Sequence, residues 1–134
     1  MSGVQDCCCA TGVPTLIFAC SGSSNVGQLT NSLALRLARE GVGTMSCLAG
    51  VGAHLSGFVV PAKDCERLVI LDGCEHRCAF KTLEHVEAKP HVYLNLTEHG
   101  FVKKHGVLAD EAELERAHAL ATDRLKGAAC STAS

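Results

Sequence analysis

The sequence predicts an α/β fold, a three-layer sandwich in which helices cover both faces of a four-stranded parallel sheet. Two observations lead to this prediction. Short apolar stretches alternate with segments of helical periodicity, as expected of strand–helix–strand units. The apolar stretches are continuous and do not alternate with polar residues, which is typical of strands buried on both faces. A length of 134 residues fits a single domain.

The first half of the chain contains two predicted strands and the first helix. The run VPTLIFAC, residues 13–20, is the first strand, and SGSSNVG is a Gly/Ser turn. Apolar residues then follow the helical repeat at Val26, Leu29, Leu33 and Leu37. Gly41 ends this helix. The second strand is predicted over residues 43–48, and the small residues after it favour a short helix that runs toward Pro61.

The second half repeats the alternation. The predicted elements are, in chain order, a strand over 67–71, a turn at 72–74, a helix over 76–89 and a strand over 91–96. The helix ends before Pro90, because a proline disfavours helical backbone in the residue before it. Residues 97–106 form a polar loop, and Asp110 caps a last helix that ends at Gly127.

Right-handed crossovers leave few topologies for this order of elements. We predict a Rossmann-like sheet of strand order 2-1-3-4, with its switch point between the first and third strands. One domain covers residues 13–127. Residues 1–12 form a flexible cysteine-rich arm, and residues 128–134 form a frayed tail.

Composition excludes several classes of partner. A net charge of −2 gives no basic surface for nucleic acid or for a membrane. No apolar run approaches the ~20 residues of a spanning helix. The N-terminus lacks the basic region of a secretory signal, so we expect a cytoplasmic protein. The chain has nine cysteines. In a reducing compartment they are better explained as metal ligands or redox thiols than as structural disulfides.

Four cysteines lie where predicted strands end or just beyond: Cys20, Cys47, Cys74 and Cys78. The carboxyl ends of parallel strands share one edge of the sheet, where ligands bind. Four thiolates are the ligand set of a structural zinc site. The sequence therefore predicts a Zn²⁺ site at this edge, with His76 and His54 nearby as further candidates. Cys65 precedes the third strand and is expected at the opposite edge.

Other interpretations of the cysteines remain open. One alternative is that they are small buried hydrophobic residues and that no cofactor is present. Another is that they are the ligands of an iron–sulfur cluster. As a thiol redox or thiol-transfer enzyme, the protein would use Cys20 with the Cys74/Cys78 pair. Cys20 is then the candidate nucleophile, because the following helix terminus lowers thiol pKa values. Adjacent thiols at residues 7–9 would suit a soft-metal or metalloid handling protein, or are incidental.

The loop CSGSSNVG suggests an anion site beside the first cysteine. Gly and Ser between a strand and a helix form a nest of backbone N–H groups. We predict that a small anion is held by Ser21, Gly22, Ser23, Ser24 and Lys103. The loop is similar to that of low-molecular-weight phosphotyrosine phosphatases and phosphotransferase IIB proteins. The phosphatases need an arginine where this chain has Val26, which argues against a phosphatase.

Several motifs together resemble the DGC-domain family, whose members are proposed to bind zinc. They are CSGSSNVGQLT, MSCLAGVGA, ILDGCEHRCAFKTLE and NLTEHGFVKKH, in that order, over roughly residues 14–105. The family takes its name from an Asp-Gly-Cys triplet, here residues 72–74. The resemblance implies that Cys20, Cys47, Cys74 and Cys78 bind zinc. It also implies that Thr97, Gly100 and Lys103, in a signature of the LT-x-x-G-x-x-K type, lie near the site. It implies no reaction.

Overall fold

The computed structural model describes residues 14–128 of the chain. The predicted arm of residues 1–12, with Cys7, Cys8 and Cys9, lies outside the described residues, as does nearly all of the predicted tail. Four parallel strands form one sheet of order β2-β1-β3-β4. They are β1 Thr15–Ala19, β2 Thr44–Met45, β3 Arg67–Asp72 and β4 Val92–Asn95. The predicted fold class and strand order are confirmed.

Helices cover both faces of this sheet. One face carries α1 (Asn25–Arg39) and α5 (Glu111–Ala128), and the other carries α2 (Leu48–Gly52), α3 (Ser56–Asp64) and α4 (Cys78–His85). A 3₁₀ turn, Leu96–His99, follows β4. Within the described part of the chain, no helix combines the length and the apolar character that a bilayer crossing requires.

The core is divided into two layers by the alternation of side chains along the strands. Ile17 and Val69 point to the layer under α1 and α5, where Leu33 and Ala121 are buried. Phe18 and Ile70 point to the opposite layer, which α2, α3 and α4 close. Both faces of β1 and β3 are therefore covered, as their continuous apolar sequences predict.

Strand register brings the carboxyl ends of the central strands level. Ala19 pairs with Leu71, and Asp72 pairs with Asn95 on the other side. The backbone N–H of Cys20 donates to the carbonyl of Leu71 at 3.0 Å. The segments that follow β1 and β3 therefore leave the sheet side by side, and this is where the candidate site lies.

Two predicted elements are shorter in the structure. The second strand, predicted over residues 43–48, is Thr44–Met45, because Cys47 already acts as the N-cap residue of α2. The fourth helix, predicted over 76–89, is Cys78–His85. Left-handed backbone at Arg77 (φ 55°) and Glu87 (φ 64°) delimits it on either side. The predicted cap of the last helix is confirmed, since Asp110 Oδ1 accepts from the Glu113 N–H at 2.7 Å.

Two leucines on α1 allow a direct test of the layer arrangement. Leu33 is 0% exposed and Leu35 is 49% exposed, although both are leucines of one helix. We expect Leu33→Ala to lower the free energy of unfolding by about 2–5 kcal/mol, because it leaves a cavity in the core. Leu35→Ala should change it by about 0.5 kcal/mol or less. Urea denaturation followed by circular dichroism measures both. Equal losses in the two variants would contradict the described packing of α1.

Candidate functional site

An open cavity of about 130 Å³ lies at the carboxyl edge of the sheet. Its wall comes from four segments of the chain: the loop of residues 20–24 with the start of α1, the turn of residues 72–74, residues 76–78, and the segment with Lys103 and His105. All five residues of the predicted anion site, the four of the loop and Lys103, line the cavity. Three of the four predicted cysteine ligands line it as well. The switch point of the sheet is thus occupied by thiol and basic groups together.

The cysteines differ in their surroundings. Cys20 is buried, Cys74 is half-buried and Cys78 is exposed, and all three line the cavity. Cys47 is exposed at the start of α2 and is not part of the cavity wall. Cys65 is buried just before β3, where its sulfur donates to the carbonyl of Ala62. The structure brings three of the four predicted ligands to one cavity and leaves the fourth, Cys47, outside its wall.

The sulfur atoms do not form an assembled metal site. Among residues 14–128, no three His, Cys, Asp or Glu side chains stand together closely enough to hold one metal ion. A structural zinc site needs four ligands in tetrahedral arrangement at ~2.3 Å for sulfur. The predicted zinc site therefore stays a prediction, since its donors would have to move toward one another.

The buried carboxylate of Asp72 connects β3 to α4. Its Oδ1 accepts from the N–H of Ala79 at 2.9 Å, and its Oδ2 accepts from the N–H of Phe80 at 3.0 Å. The hydroxyl of Tyr93 donates to Oδ2 at 3.0 Å as well. Burial raises the pKa of Tyr93, which keeps this hydroxyl protonated. Asp72 thus satisfies the free N–H groups at the start of α4 and fixes where that helix begins.

Gly73 occupies a place where no side chain fits. A Cβ atom at this position would lie 2.8 Å from the carbonyl carbon and oxygen of Val26, in the first turn of α1. Such a distance is below any real Cβ contact, so only glycine lets the turn after β3 pack directly on α1. The turn is held further by the Thr97 N–H, which donates to the Gly73 carbonyl at 3.2 Å.

Both the backbone and the side chain of Cys74 make polar contacts. Its backbone carbonyl accepts from Asn95 Nδ2 at 2.8 Å, and its Sγ lies 3.3 Å from Lys103 Nζ. The carbonyl also accepts from the Arg77 N–H at 3.1 Å, which closes a turn that leads directly into Cys78. An ammonium group beside a sulfur stabilises the negative thiolate, the form that acts as nucleophile. Lys103 was predicted from sequence as an anion ligand, and its contact with a thiol was not.

Cys20 lies beneath this turn in a different environment. Its Sγ accepts from the Gly73 N–H at 3.2 Å and lies 3.1 Å from Thr30 Oγ1. Burial, with a further contribution from the charge of Asp72, raises the pKa of Cys20 to about 11. The expectation that the start of α1 lowers this pKa is wrong, because the loss of water around the sulfur outweighs the hydrogen bonds. Cys20 is a protonated thiol at neutral pH.

Lys103 is placed by a segment that crosses the start of α1, here termed the 102–106 strap. The buried side chain of Asn25 donates to the carbonyl of Val102 at 2.9 Å and accepts from the Lys104 N–H at 2.6 Å. The Gly106 N–H donates to the carbonyl of Ser23 at 2.8 Å. Asn25 therefore ties the strap to the loop of residues 21–24. Sequence periodicity gave no sign of this role, because Asn25 reads as an ordinary turn residue.

The predicted anion loop adopts a conformation that depends on glycine. Gly22 has φ 155°, a value that L-residues with a side chain rarely adopt. Ser24 is buried and caps α1, with its Oγ accepting from the Gly27 N–H at 3.1 Å. Ser21 and Ser23 are exposed at the cavity. The loop therefore curls over the first turn of a 15-residue helix that has no acidic residue in that turn.

The two histidine candidates, His76 and His54, lie in different places. His76 lines the cavity, as does His105, which was not among the candidates from the sequence. His54 lies elsewhere, with its ring centroid 5.2 Å from that of His85. Arg77 was also missed by sequence reasoning. Its guanidinium carbon lies 4.1 Å from the centre of the Phe80 ring, and the residue lines the cavity. In the sequence, only its position between Cys74 and Cys78 indicates that it could belong to the site.

The cap at Asp72 generates a stability prediction. Asp72→Asn replaces one accepting oxygen by an NH₂ group that faces buried donors. We expect it to lower the free energy of unfolding by about 2 kcal/mol or more. Asp110→Asn is the matched control, since Asn caps an exposed helix start about as well as Asp. Chemical denaturation of both variants measures the difference, and an equally small effect at Asp72 would contradict its described role.

The raised pKa of Cys20 predicts a pH dependence. The unfolded thiol loses its proton near its ordinary pKa of about 9, and the folded thiol loses it near 11. Between these values the folded state binds more protons, so stability falls as pH rises. The loss relative to Cys20→Ser should be on the order of 2 to 3 kcal/mol across this window. Denaturation of both proteins from pH 8 to 11 gives the difference. Parallel curves would show that burial does not hold the proton on Cys20.

Comparison with known proteins identifies the family of the chain. The family described as DGC domain matches residues 16–120, which include the four predicted cysteine ligands and Lys103. The chain is 43% identical over 101 residues to a Pseudomonas aeruginosa protein named "Anaerobic and virulence modulator AnvM". The matched part covers 75% of this chain and 77% of that protein. No solved structure matches the chain. On the extent of the family match and this identity, the chain belongs to the DGC-domain family.

Proposed function

We propose that the protein is a thiol redox protein in which Cys74 is the reactive sulfur and Cys78 is its partner. One observation carries this proposal: Lys103 Nζ lies 3.3 Å from Cys74 Sγ in an open cavity that Cys78 also lines. Reactive cysteines occur in electropositive and partly exposed surroundings. Cys74 meets both conditions.

The other cysteines of the site meet fewer of these conditions. Cys20 is buried and protonated, so it is a poor nucleophile at neutral pH. Cys47 is exposed but lies outside the cavity. Cys78 is exposed in the first position of α4, just after the turn that the Cys74 carbonyl closes. These positions favour Cys74 as the attacking sulfur and Cys78 as the sulfur that resolves the product.

The proposed reaction is thiol–disulfide exchange. The Cys74 thiolate attacks one sulfur of a disulfide, the S–S bond breaks, and the other sulfur leaves as a thiolate that takes up a proton. Cys78 then attacks Cys74 and releases the second thiol. The protein dithiol becomes a disulfide and loses two electrons, which the substrate disulfide gains. A cellular dithiol restores the reduced form, as the cytoplasm, where we place the protein, would allow.

The name of the relative is compatible with this proposal. AnvM is named an anaerobic and virulence modulator. A thiol pair whose oxidation follows the supply of oxidants would suit a modulator that acts when oxygen is scarce. We propose such a regulatory role, and not metabolic turnover, for the present chain.

Zinc binding is the second candidate function. It is favoured by the convergence of Cys20, Cys74 and Cys78 on one cavity. The fourth candidate ligand, Cys47, lies at the start of α2. Metal binding would require these four sulfurs to approach one another and Cys20 to give up its proton. A closed four-sulfur site would be structural.

Alkylation kinetics test the thiol proposal. We expect iodoacetamide to modify Cys74 faster than Cys20 or Cys65 by at least about tenfold at pH 7, because only Cys74 combines access with a cationic neighbour. Lys103→Gln should slow the reaction of Cys74 severalfold. Quantitative peptide mass spectrometry follows each site.

Lys104→Gln is the control for that experiment. It removes the same charge from the next residue, whose side chain is not part of the cavity wall. It should leave the Cys74 rate nearly unchanged. A wild-type protein in which Cys74 reacts no faster than the buried cysteines would refute the assignment.

Elemental mass spectrometry tests the zinc candidate. A zinc site predicts about one Zn²⁺ per chain in protein purified without added metal, and its loss in the Ser variants of Cys20, Cys47, Cys74 and Cys78. Cys65→Ser should retain the metal, because this residue lies at the other end of β3. Metal-free wild-type protein with reactive Cys74 would exclude zinc and leave the thiol proposal in place.

A further inference from the structure

We propose that the cavity selects anionic substrates. The disulfide that reaches Cys74 carries an oxyanion group, such as a carboxylate, phosphate or sulfonate, which Lys103, Arg77 and the loop of residues 21–24 hold. That the substrate is a disulfide rests on the proposed function. The binding of the anion itself is independent of Cys74.

The charge around the cavity is opposite to that of the whole chain. The net charge is −2, yet Lys103 and Arg77 line the cavity together with His76 and His105. Among the described residues of the wall, Asp72 is the acidic one, and its two oxygens already accept three hydrogen bonds. Its charge is balanced locally by the start of α4. A bound anion would therefore meet mainly positive charge.

The loop side of the cavity adds backbone dipoles to these side chains. Residues 21–24 lead into α1, which has 15 residues and no acidic residue in its first turn, so the helix dipole adds partial positive charge at this side of the cavity. Ser21 and Ser23 are exposed at the cavity, where their hydroxyls can donate. The loop thus supplies donors to the same cavity as the two basic side chains.

Lys103 links the anion to the reacting sulfur. Its ammonium is 3.3 Å from Cys74 Sγ, and its backbone belongs to the strap that Asn25 ties to the loop. An oxyanion bound at this ammonium therefore lies beside the thiolate. The cavity has a volume of about 130 Å³ and is open to solvent. This volume suffices for an oxyanion group and an adjacent sulfur, while the rest of a larger substrate would remain outside.

Two small disulfides of opposite charge test the proposal. The anion is 3,3′-dithiodipropionate, and the cation is cystamine. With either one, Cys74 attacks a sulfur, one thiol leaves, and Cys78 displaces the second, so that one disulfide is consumed for each Cys74–Cys78 disulfide formed. The ratio of the rates at which the two probes oxidise 2-mercaptoethanol gives their intrinsic reactivity. After correction for this ratio, we expect the anion to oxidise Cys74 at least about tenfold faster than the cation does.

Variants at two neighbouring lysines assign the preference. Lys103→Gln should abolish the preference for the anion, Lys103→Arg should retain most of it, and Lys104→Gln should leave it unchanged. All rates are measured at constant ionic strength, because salt screens such interactions. A wild-type ratio equal to that of 2-mercaptoethanol, or a preference that persists in Lys103→Gln, would overturn the proposal.

Phosphate binding separates this inference from the proposed function. Isothermal titration of inorganic phosphate into Cys74→Ser protein should show one saturable site per chain, which is lost in Cys74→Ser/Lys103→Gln and kept in Cys74→Ser/Lys104→Gln. If neither disulfide oxidises Cys74 but phosphate binds in this way, the anion site stands and the redox function fails. Absence of saturable phosphate binding in Cys74→Ser would overturn the anion site, whatever the reactivity of Cys74.

Discussion

The buried carboxylate of Asp72 connects three elements next to the site: β3, α4 and β4. It receives two N–H groups from the start of α4 and the hydroxyl of Tyr93 from β4, so it joins β3 to a helix and to the neighbouring strand. A buried charge is tolerated only when it is paired or fully hydrogen-bonded, and this one has three donors. The position of Cys78 and the path of the turn through Cys74 follow from where this carboxylate fixes α4.

The Asp-Gly-Cys triplet can then be understood residue by residue. The aspartate caps α4, the glycine permits contact with Val26 on α1, and the cysteine presents its sulfur to Lys103. The first two residues are architectural and the third is chemical. Asn95 binds the backbone carbonyl of Cys74, and Lys103 of the strap contacts its sulfur, so two further segments of the chain position this cysteine.

The fold was predictable because its two central strands are continuous apolar runs. The hydrophobic runs of β1 and β3 and the stripe of α1 predicted the layers, and the rule of right-handed crossovers led to the strand order. The short elements were not predictable to the same degree. β2 has two residues, and α4 is delimited by left-handed Arg77 and Glu87, residues with no sequence preference for that backbone.

The site was predictable in position and less so in chemistry. The topology rule placed Cys20, Cys47, Cys74 and Cys78 at one edge, and in the structure three of them line one cavity while Cys47 does not. The state of each thiol depends on contacts that no spacing reveals. Cys20 is one of two buried thiols in the described chain, and its pKa rises to about 11 where a helix terminus suggested the reverse. Cys74 owes its ammonium neighbour to Lys103, 29 residues away, which is placed by Asn25 on a different element.

If Cys74 is the reactive sulfur of a reversible dithiol pair, its redox state must follow that of a thiol buffer. The protein is equilibrated in oxidised and reduced dithiothreitol over a range of ratios, and the disulfides are mapped by peptide mass spectrometry. We expect a Cys74–Cys78 disulfide that forms and disappears reversibly, in wild-type protein and equally in Cys65→Ser. A Cys74 that remains reduced over the whole range, while other cysteines of the chain oxidise, would contradict this expectation.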